Sequence, residues 1–216
     1  MNNLSININK AKFLTLEEHR QIELDAQRQG LDLMDLAAQA ITDYVAQLPS
    51  LKQKNVLILV GKGNNGGDGV CCAIKLQKLG YNITVLTVFN KLSQHTTMLI
   101  ERYKQLNGKI ITKLPSDLST FEIIIDAVIG IGISSELDSN TREIFEKTNS
   151  ANVFVLAVDT PSGVNPFTGK VYPGSIKANL TLTFIADKPG LYNKNAANYV
   201  GDVILYPLTD LKTPSL

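Results

Sequence analysis

Histidine and cysteine are scarce in this chain of 216 residues, with two of each. That scarcity leaves no Cys/His cluster for a zinc site, and no visible histidine base that would make Ser162 the nucleophile of a hydrolase triad. Cys71 and Cys72 are neighbours in a helical pattern, where successive side chains diverge. A disulfide or a tetrahedral metal site is therefore not expected, and both read as buried, reduced thiols. His19 and His95 fall in helical segments and read as surface residues. An excess of one charge is also missing. The 21 basic and 20 acidic residues nearly cancel without a long run of either sign, so no electrostatic hold on nucleic acid or on an anionic membrane is expected. No apolar stretch approaches the roughly 20 residues of a membrane span. The opening MNNLSININKAKF has no basic cluster leading into an apolar segment, so no secretory leader is expected, and the expected location is cytoplasmic.

What is present is apolar material, 44% of the residues, enough for one sizeable core, so a single domain over 1–216 is expected. Two helices are expected between Phe13 and Gln47, broken at Gly30, with Thr15 capping the first and Asp32 opening the second. Apolar strands then alternate with helical segments. Strands are read at 55–60, 82–88, 109–111, 121–126 and 153–159, with helices near 69–79, 93–107 and 139–150. Two late strands follow, at 180–186 and 202–207. This alternation predicts a three-layer α/β/α sandwich of Rossmann-like type, with a central, mostly parallel sheet and two N-terminal helices.

Between the first strand and its helix lies GKGNNGGDG, residues 61–69, in which Gly61, Gly63 and Gly66 have the G-x-G-x-x-G spacing of dinucleotide-binding turns. The spacing alone is weak, because tight strand-to-helix turns use glycine whether or not they bind anything. A nicotinamide-dehydrogenase reading also requires an acidic residue about twenty positions on to hold the ribose, and none occurs between Asp68 and Glu101. A P-loop is disfavoured by the missing Gly-Lys-Ser/Thr. The loop carries Asn64, Asn65 and Asp68 instead. Asp68 is expected to cap the following helix, and the asparagines have a bland alternative role in stabilising left-handed turn geometry.

In an open parallel sheet the ligand crevice lies beyond the carboxyl ends of the strands, and polar residues gather at those ends here. Asp126 closes one strand and precedes the glycine-bearing AVIGIGISSE. Asp159 closes another and precedes TPSG, which contains Ser162. Lys188 follows a third in DKPGLY. Singly, each has an ordinary structural reading as a turn cap or a solvated surface residue. Together they form a candidate active site. The oxygen donors of Asn65, Asp126 and Ser162 suit a hard cation, monovalent as readily as magnesium.

The segments GKGNNGGDG, DAVIGIGI, VDTPSGVNPFTG and KPGLY, in that order and spacing, closely resemble the YjeF N-terminal domain family, whose enzymatic members are NAD(P)H-hydrate epimerases. The resemblance runs from about Phe13 to Pro207, and DLMDLAAQA is similar to the family's Leu-Met-acidic segment. It implies interconversion of the R and S forms of NADHX and NADPHX, nicotinamide dinucleotides hydrated on the ring, without a redox cofactor. Asn65, Asp126 and Ser162 match the family's potassium ligands, one ion per subunit. Asn64, Asn65, Gly66, Gly67 and Asp68, the loop Gly130, Ile131, Gly132, Ile133, Ser134, Ser135 and Glu136, and Asp159 match its substrate-binding positions. Asp159 is the expected acid/base group, with Lys188 tuning or orienting it. A homodimer and a functional link to a separate NAD(P)HX dehydratase are implied as well. Three positions depart from the family pattern: Ile131 stands for a threonine, Ala38 for a glycine, and Asp187 for an uncharged residue. The competing reading is a non-catalytic dimeric scaffold or ligand-binding module of the same fold; an ordinary nucleotide-binding protein is disfavoured by the missing ribose acid.

Overall fold

A computed structural model describes residues 13–48, 51 and 54–208. Its framework is a seven-stranded sheet: β1 (Asn55–Val60), β2 (Asn82–Thr87), β3 (Lys109–Ile111), β4 (Ile123–Ala127), β5 (Phe154–Val158), β6 (Leu180–Phe184) and β7 (Asp202–Tyr206). The spatial order is β3-β2-β1-β4-β5-β6-β7, and every neighbouring pair is parallel. The sheet is thus parallel throughout, beyond the mostly parallel arrangement expected. The strands read from sequence are all present, each within two residues of its expected bounds.

The alternation of side chains sorts the sheet into two cores. Val56, Ile58, Val60, Ile123 and Ile125 pack under α2 (Leu33–Ala46), α3 (Asn64–Lys78) and α4 (Gln94–Gln105). Leu57, Leu59 and Ile124 face α5 (Ser139–Asn149) and the loops beside it, meeting Ile144 and Phe145. Each fully buried branched side chain of this kind contributes roughly 1.5–3 kcal/mol over its exposed state. Both faces are therefore covered, as a parallel sheet requires. A four-residue helix, α6 (Ala197–Val200), follows a 3-10 turn at Pro189–Tyr192.

The first helix, α1 (Leu16–Arg28), begins with the expected cap. The Thr15 hydroxyl accepts from the Glu18 amide at 3.2 Å, while the Glu18 carboxylate accepts from the Thr15 amide at 2.7 Å, a reciprocal capping box. Asp32 caps α2 through the Asp35 amide at 3.0 Å. Only His19 and Ala26 of α1 are buried. Phe13 packs against Tyr192, ring centres 5.9 Å apart, which ties the start of this helix to the 3-10 turn.

One boundary differs in a way that matters. The third helix begins at Asn64, not near Gly69, with Gly63 as its N-cap. Asp68 therefore lies inside the helix and does not cap it. The glycines of this segment serve close packing. A Cβ on Gly61 would strike the Val128 carbonyl, one on Gly66 would strike the Gly61 carbonyl, and one on Gly69 would come within 2.6 Å of Ala127 Cβ. Helical geometry survives three glycines here because Gly66 lies too close to the turn after β1, Gly69 to β4 and Gly67 to Met34 of α2 for side chains, and that packing offsets their low propensity.

Candidate active site

The order of the strands reverses between β1 and β4, and that switch point, at the carboxyl edge, is where ligands bind in sheets of this type. A cavity of about 1210 Å³ opens there. Its walls come from α1 and the α1–α2 turn, the N-terminus of α3, the segment after β4, Asp159 after β5, and Phe184 to Lys188 after β6.

Asp126 is the last polar group of β4 and is fully buried. Its Oδ2 accepts from the Ser162 amide at 2.7 Å, and its Oδ1 accepts from the Ser162 hydroxyl at 2.6 Å and the Val128 amide at 3.2 Å. The Ser162 hydroxyl accepts in turn from the Ile129 amide at 2.8 Å. Burial dominates the carboxyl group's titration and lifts it to about 6 against the opposing pull of these bonds. Asn65 is buried beside Gly130, and its Nδ2 has no partner among the described residues. The three residues expected to share a cation thus come from the start of α3, the end of β4 and the turn after β5.

Asp159 and Lys188 form the second cluster. Lys188 is 1% exposed, and its Nζ donates to Asp159 Oδ1 at 2.8 Å, Thr183 Oγ1 at 2.7 Å and the Phe184 carbonyl at 3.1 Å. It is therefore not the solvated lysine that its place before a proline would suggest. The hydrogen bonds to Asp159 all run to Oδ1 among the described residues, and the carboxylate lines the cavity. Asp159 has φ of 67° and Ile185 has φ of 70°. Left-handed backbone at a non-glycine residue, and most of all at a β-branched one, is strained. Both strained residues stand at the cavity wall.

The start of α3 supplies backbone donors. Gly63 offers no side-chain cap, so the first turn of this fifteen-residue helix, whose amides lack intrahelical acceptors, borders the cavity at Gly63, Asn64 and Asn65. Asn64, Asn65 and Asp68 line that wall, with Gly66 and Gly67 buried behind them. Asp68 titrates well above its ordinary range, first because burial disfavours its charge and then because Asp159, Glu23 and Asp32 are also acidic. Across the cavity the segment Gly130, Ile131, Gly132, Ile133, Ser134, Ser135 and Glu136 forms a continuous wall.

His19, expected at the surface, is instead 1% exposed and lines the same cavity. Glu23 and Gln27 line it too. The spacing 19, 23, 27 is one stripe of a helix, so the sequence carries a polar signal for this wall of the cavity. His95 lies at the cavity rim and is exposed. Of the two thiols, Cys72 is buried and Cys71 only partly so; both are free, and burial lifts them to about 12 and about 11, out of the reactive range.

The departures from the family pattern fit without disturbance. Ala38 is fully buried in α2, and Asp187 accepts from the Tyr192 hydroxyl at 2.5 Å, while Lys188 takes Asp159. Ile131 stands in the cavity wall.

The model of the YjeF-related protein N-terminus matches residues 30–190. The chain belongs to that family. Within the YjeF-related N-terminal domains it is 32% identical over 179 residues to the NAD(P)H-hydrate epimerase of Limosilactobacillus reuteri, covering 82% of this chain and 84% of that one. It is 30% identical over 194 residues to the NAD(P)H-hydrate epimerase of Entamoeba histolytica, covering 86% of each. The bifunctional NAD(P)H-hydrate repair enzyme Nnr of Dictyoglomus turgidum is 31% identical over 205 residues, and this chain spans only 40% of its length. Among solved structures, the yeast protein ynu0, YNL200c, superposes with a TM-score of 0.72 over 91% of this chain and 88% of its own, at 22% identity. That likeness shows the shared fold.

Proposed function

We propose that this YjeF-related domain is an NAD(P)H-hydrate epimerase, interconverting the R and S forms of NADHX and NADPHX. The observation that carries this reading is the ion pair of Asp159 with the buried Lys188 at the wall of a cavity large enough for a dinucleotide. A scaffold without chemistry has no use for a strained, ion-paired carboxylate facing an open cavity, so the enzyme is favoured over the non-catalytic dimeric scaffold.

The substrate bears a hydroxyl on the carbon bonded to the ring nitrogen. With Lys188 bonded to Oδ1, Asp159 is set up as the proton acceptor. It takes the hydroxyl proton as the carbon–nitrogen bond opens, and the electron pair moves onto nitrogen and into the conjugated ring carbons. Rotation about the adjacent carbon–carbon bond presents the other face of the resulting aldehyde. The nitrogen attacks that face and Asp159 returns the proton. Nothing is oxidised or reduced over the cycle, so no redox partner is needed. The amides at the start of α3 suit the diphosphate. Asn64, Asn65, Asp68 and the loop Gly130 to Glu136 enclose the rest of the ligand, while Gly66 and Gly67, expected to touch it, stand behind that wall.

The donors of Asn65, Asp126 and Ser162 fit potassium. They are three buried oxygen-bearing groups with a single carboxylate among them, and the described residues contain no cluster of three or more His, Cys, Asp or Glu for a transition metal. Held there, one ion per subunit would supply positive charge beside the ligand. A homodimer, a cytoplasmic location and a dehydratase acting on the S epimer complete the reading. The described helices include none long and apolar enough to cross a membrane. Supplying purified R-NADHX and following formation of the S epimer, with potassium and with lithium in its place, tests the proposal. Acceleration over the spontaneous rate, larger with potassium, is expected; no acceleration with either ion sinks it.

A further inference from the structure

His19 has no part in the reading above, yet it carries an unresolved feature. It projects from α1 into the cavity wall, 1% exposed, and its Nε2 has no hydrogen-bond partner among the described residues. Buried polar atoms of folded proteins are nearly always paired, so an orphaned one at a ligand cavity points to a partner that arrives with the ligand. The imidazole is fixed in place rather than free to turn outward: its ring stands edge-on to Phe167 with centres 5.6 Å apart. Phe167 belongs to the same post-β5 segment as Asp159, so the segment that supplies the ion-paired carboxylate also supplies the support for the ring.

We propose that His19 is a substrate-contacting residue that hydrogen-bonds the uncharged, hydrated-nicotinamide end of the ligand through Nε2. The inference rests on the epimerase reading and deepens it. Geometry and electrostatics together choose the end of the ligand: His19 lines the same cavity as Asp159 and Lys188, and its ring rests on Phe167, which follows Asp159 in the chain. Burial first, and then the charge of Lys188, hold the imidazole down to about 4, with Asp159 and Glu18 pulling the other way. A ring that is neutral at ordinary pH is a poor partner for a diphosphate, which has the start of α3 instead, and a good partner for a carboxamide or a hydroxyl. The same coupling places His19 within the field of Asp159 and Lys188, where the proton moves. Its neutrality also makes it a positioning and specificity residue at the ring rather than a second acid.

Three variants separate contact from scaffolding. His19→Leu removes the polar atom. His19→Gln places an amide near the position of Nε2, whereas His19→Asn is polar but too short to reach it. With NADHX, kcat/KM is expected to fall at least tenfold in the leucine and asparagine variants and to return within threefold of wild type in the glutamine variant, all three melting within a few degrees of wild type. Should the leucine variant fail to fold, the asparagine–glutamine comparison still decides. The hydrated nicotinamide mononucleotide, which keeps the ring and lacks the adenosine, is expected to show the same penalty. A leucine variant within twofold of wild type, a glutamine variant no better than asparagine, or a penalty that vanishes with the mononucleotide overturns the contact. Calorimetric binding of NADHX is measured on the same samples. If the wild type binds but does not epimerise, the functional reading fails while a tenfold weaker affinity in the leucine variant still upholds His19; absence of binding by the wild type overturns both.

Discussion

Replacing Lys188 with methionine removes a buried cation while keeping much of its length, and the structure gives the size of the effect. Lys188 is 1% exposed and Asp159 is 15% exposed at its side chain. The substitution therefore leaves a mostly desolvated carboxylate facing no cation, and deprives Thr183 Oγ1 and the Phe184 carbonyl of their donor. Removing one partner of a buried pair costs about 3–5 kcal/mol. Because the cavity admits water to one side of Asp159, the lower end, about 3 kcal/mol, is expected. Against a total of about 5–15 kcal/mol that is a large share, and for a chain of this size it corresponds to a fall of roughly 6–12 °C in Tm. The double variant Asp159→Asn, Lys188→Met removes the stranded charge and is expected to recover about half of the loss, a coupling well above the error of about 0.5 kcal/mol typical of independent sites. Urea and thermal unfolding followed by circular dichroism measure both. A Lys188→Met protein within about 1 kcal/mol of wild type, or a double variant no more stable than the single, would refute the claim that the lysine is there to hold Asp159.

Gly66→Ala is expected to destabilise by at least about 2 kcal/mol through overpacking, because its Cβ would strike the Gly61 carbonyl, while Gly63→Ala, with nothing within 4 Å, is expected to unfold at nearly the wild-type denaturant concentration. Asp68 titrates above its ordinary range in the folded state, so the folded protein holds that proton more tightly than the unfolded chain and the associated stability is lost as pH rises. Asp68→Asn should therefore melt above wild type at pH 8, with the gap closing as pH falls to near 4; a gap that widens toward acid contradicts the assignment. Potassium is expected to raise the Tm of the wild type and to leave Ser162→Ala and Asp126→Asn unmoved, read by differential scanning fluorimetry at equal ionic strength.

The strand positions, the parallel sheet and the two N-terminal helices were legible because the strand signals NVLILV and VFVLAVD are apolar on both faces, as a parallel sheet demands, and because Thr15 and Asp32 mark helix starts. The polar residues at strand ends were legible for the same reason: once Asp126 and Asp159 close strands of a parallel sheet, topology brings them to one edge. What escaped was longer in range. The start of α3 at Asn64 depends on how near Gly66 and Gly69 come to β1 and β4, a tertiary constraint that overrides the usual reading of glycine as a turn. The burial of Lys188 depends on three acceptors at Asp159, Thr183 and Phe184, two of which precede it on β6. His19 turned inward because α1 covers the cavity, and a helix with only two buried residues gives little apolar pattern from which to learn that.

The central claim is that Asp159 moves the proton that resets the stereocentre. It is tested most directly by supplying R-NADHX to wild type and to Asp159→Asn and following the R and S signals by NMR in potassium buffer. Wild type should reach the equilibrium mixture far ahead of the spontaneous reaction, and the asparagine variant should bind the substrate yet lose at least a hundredfold in rate, the scale of a positioned acid/base group. A folded, substrate-binding Asp159→Asn protein that epimerises at the wild-type rate would contradict the account.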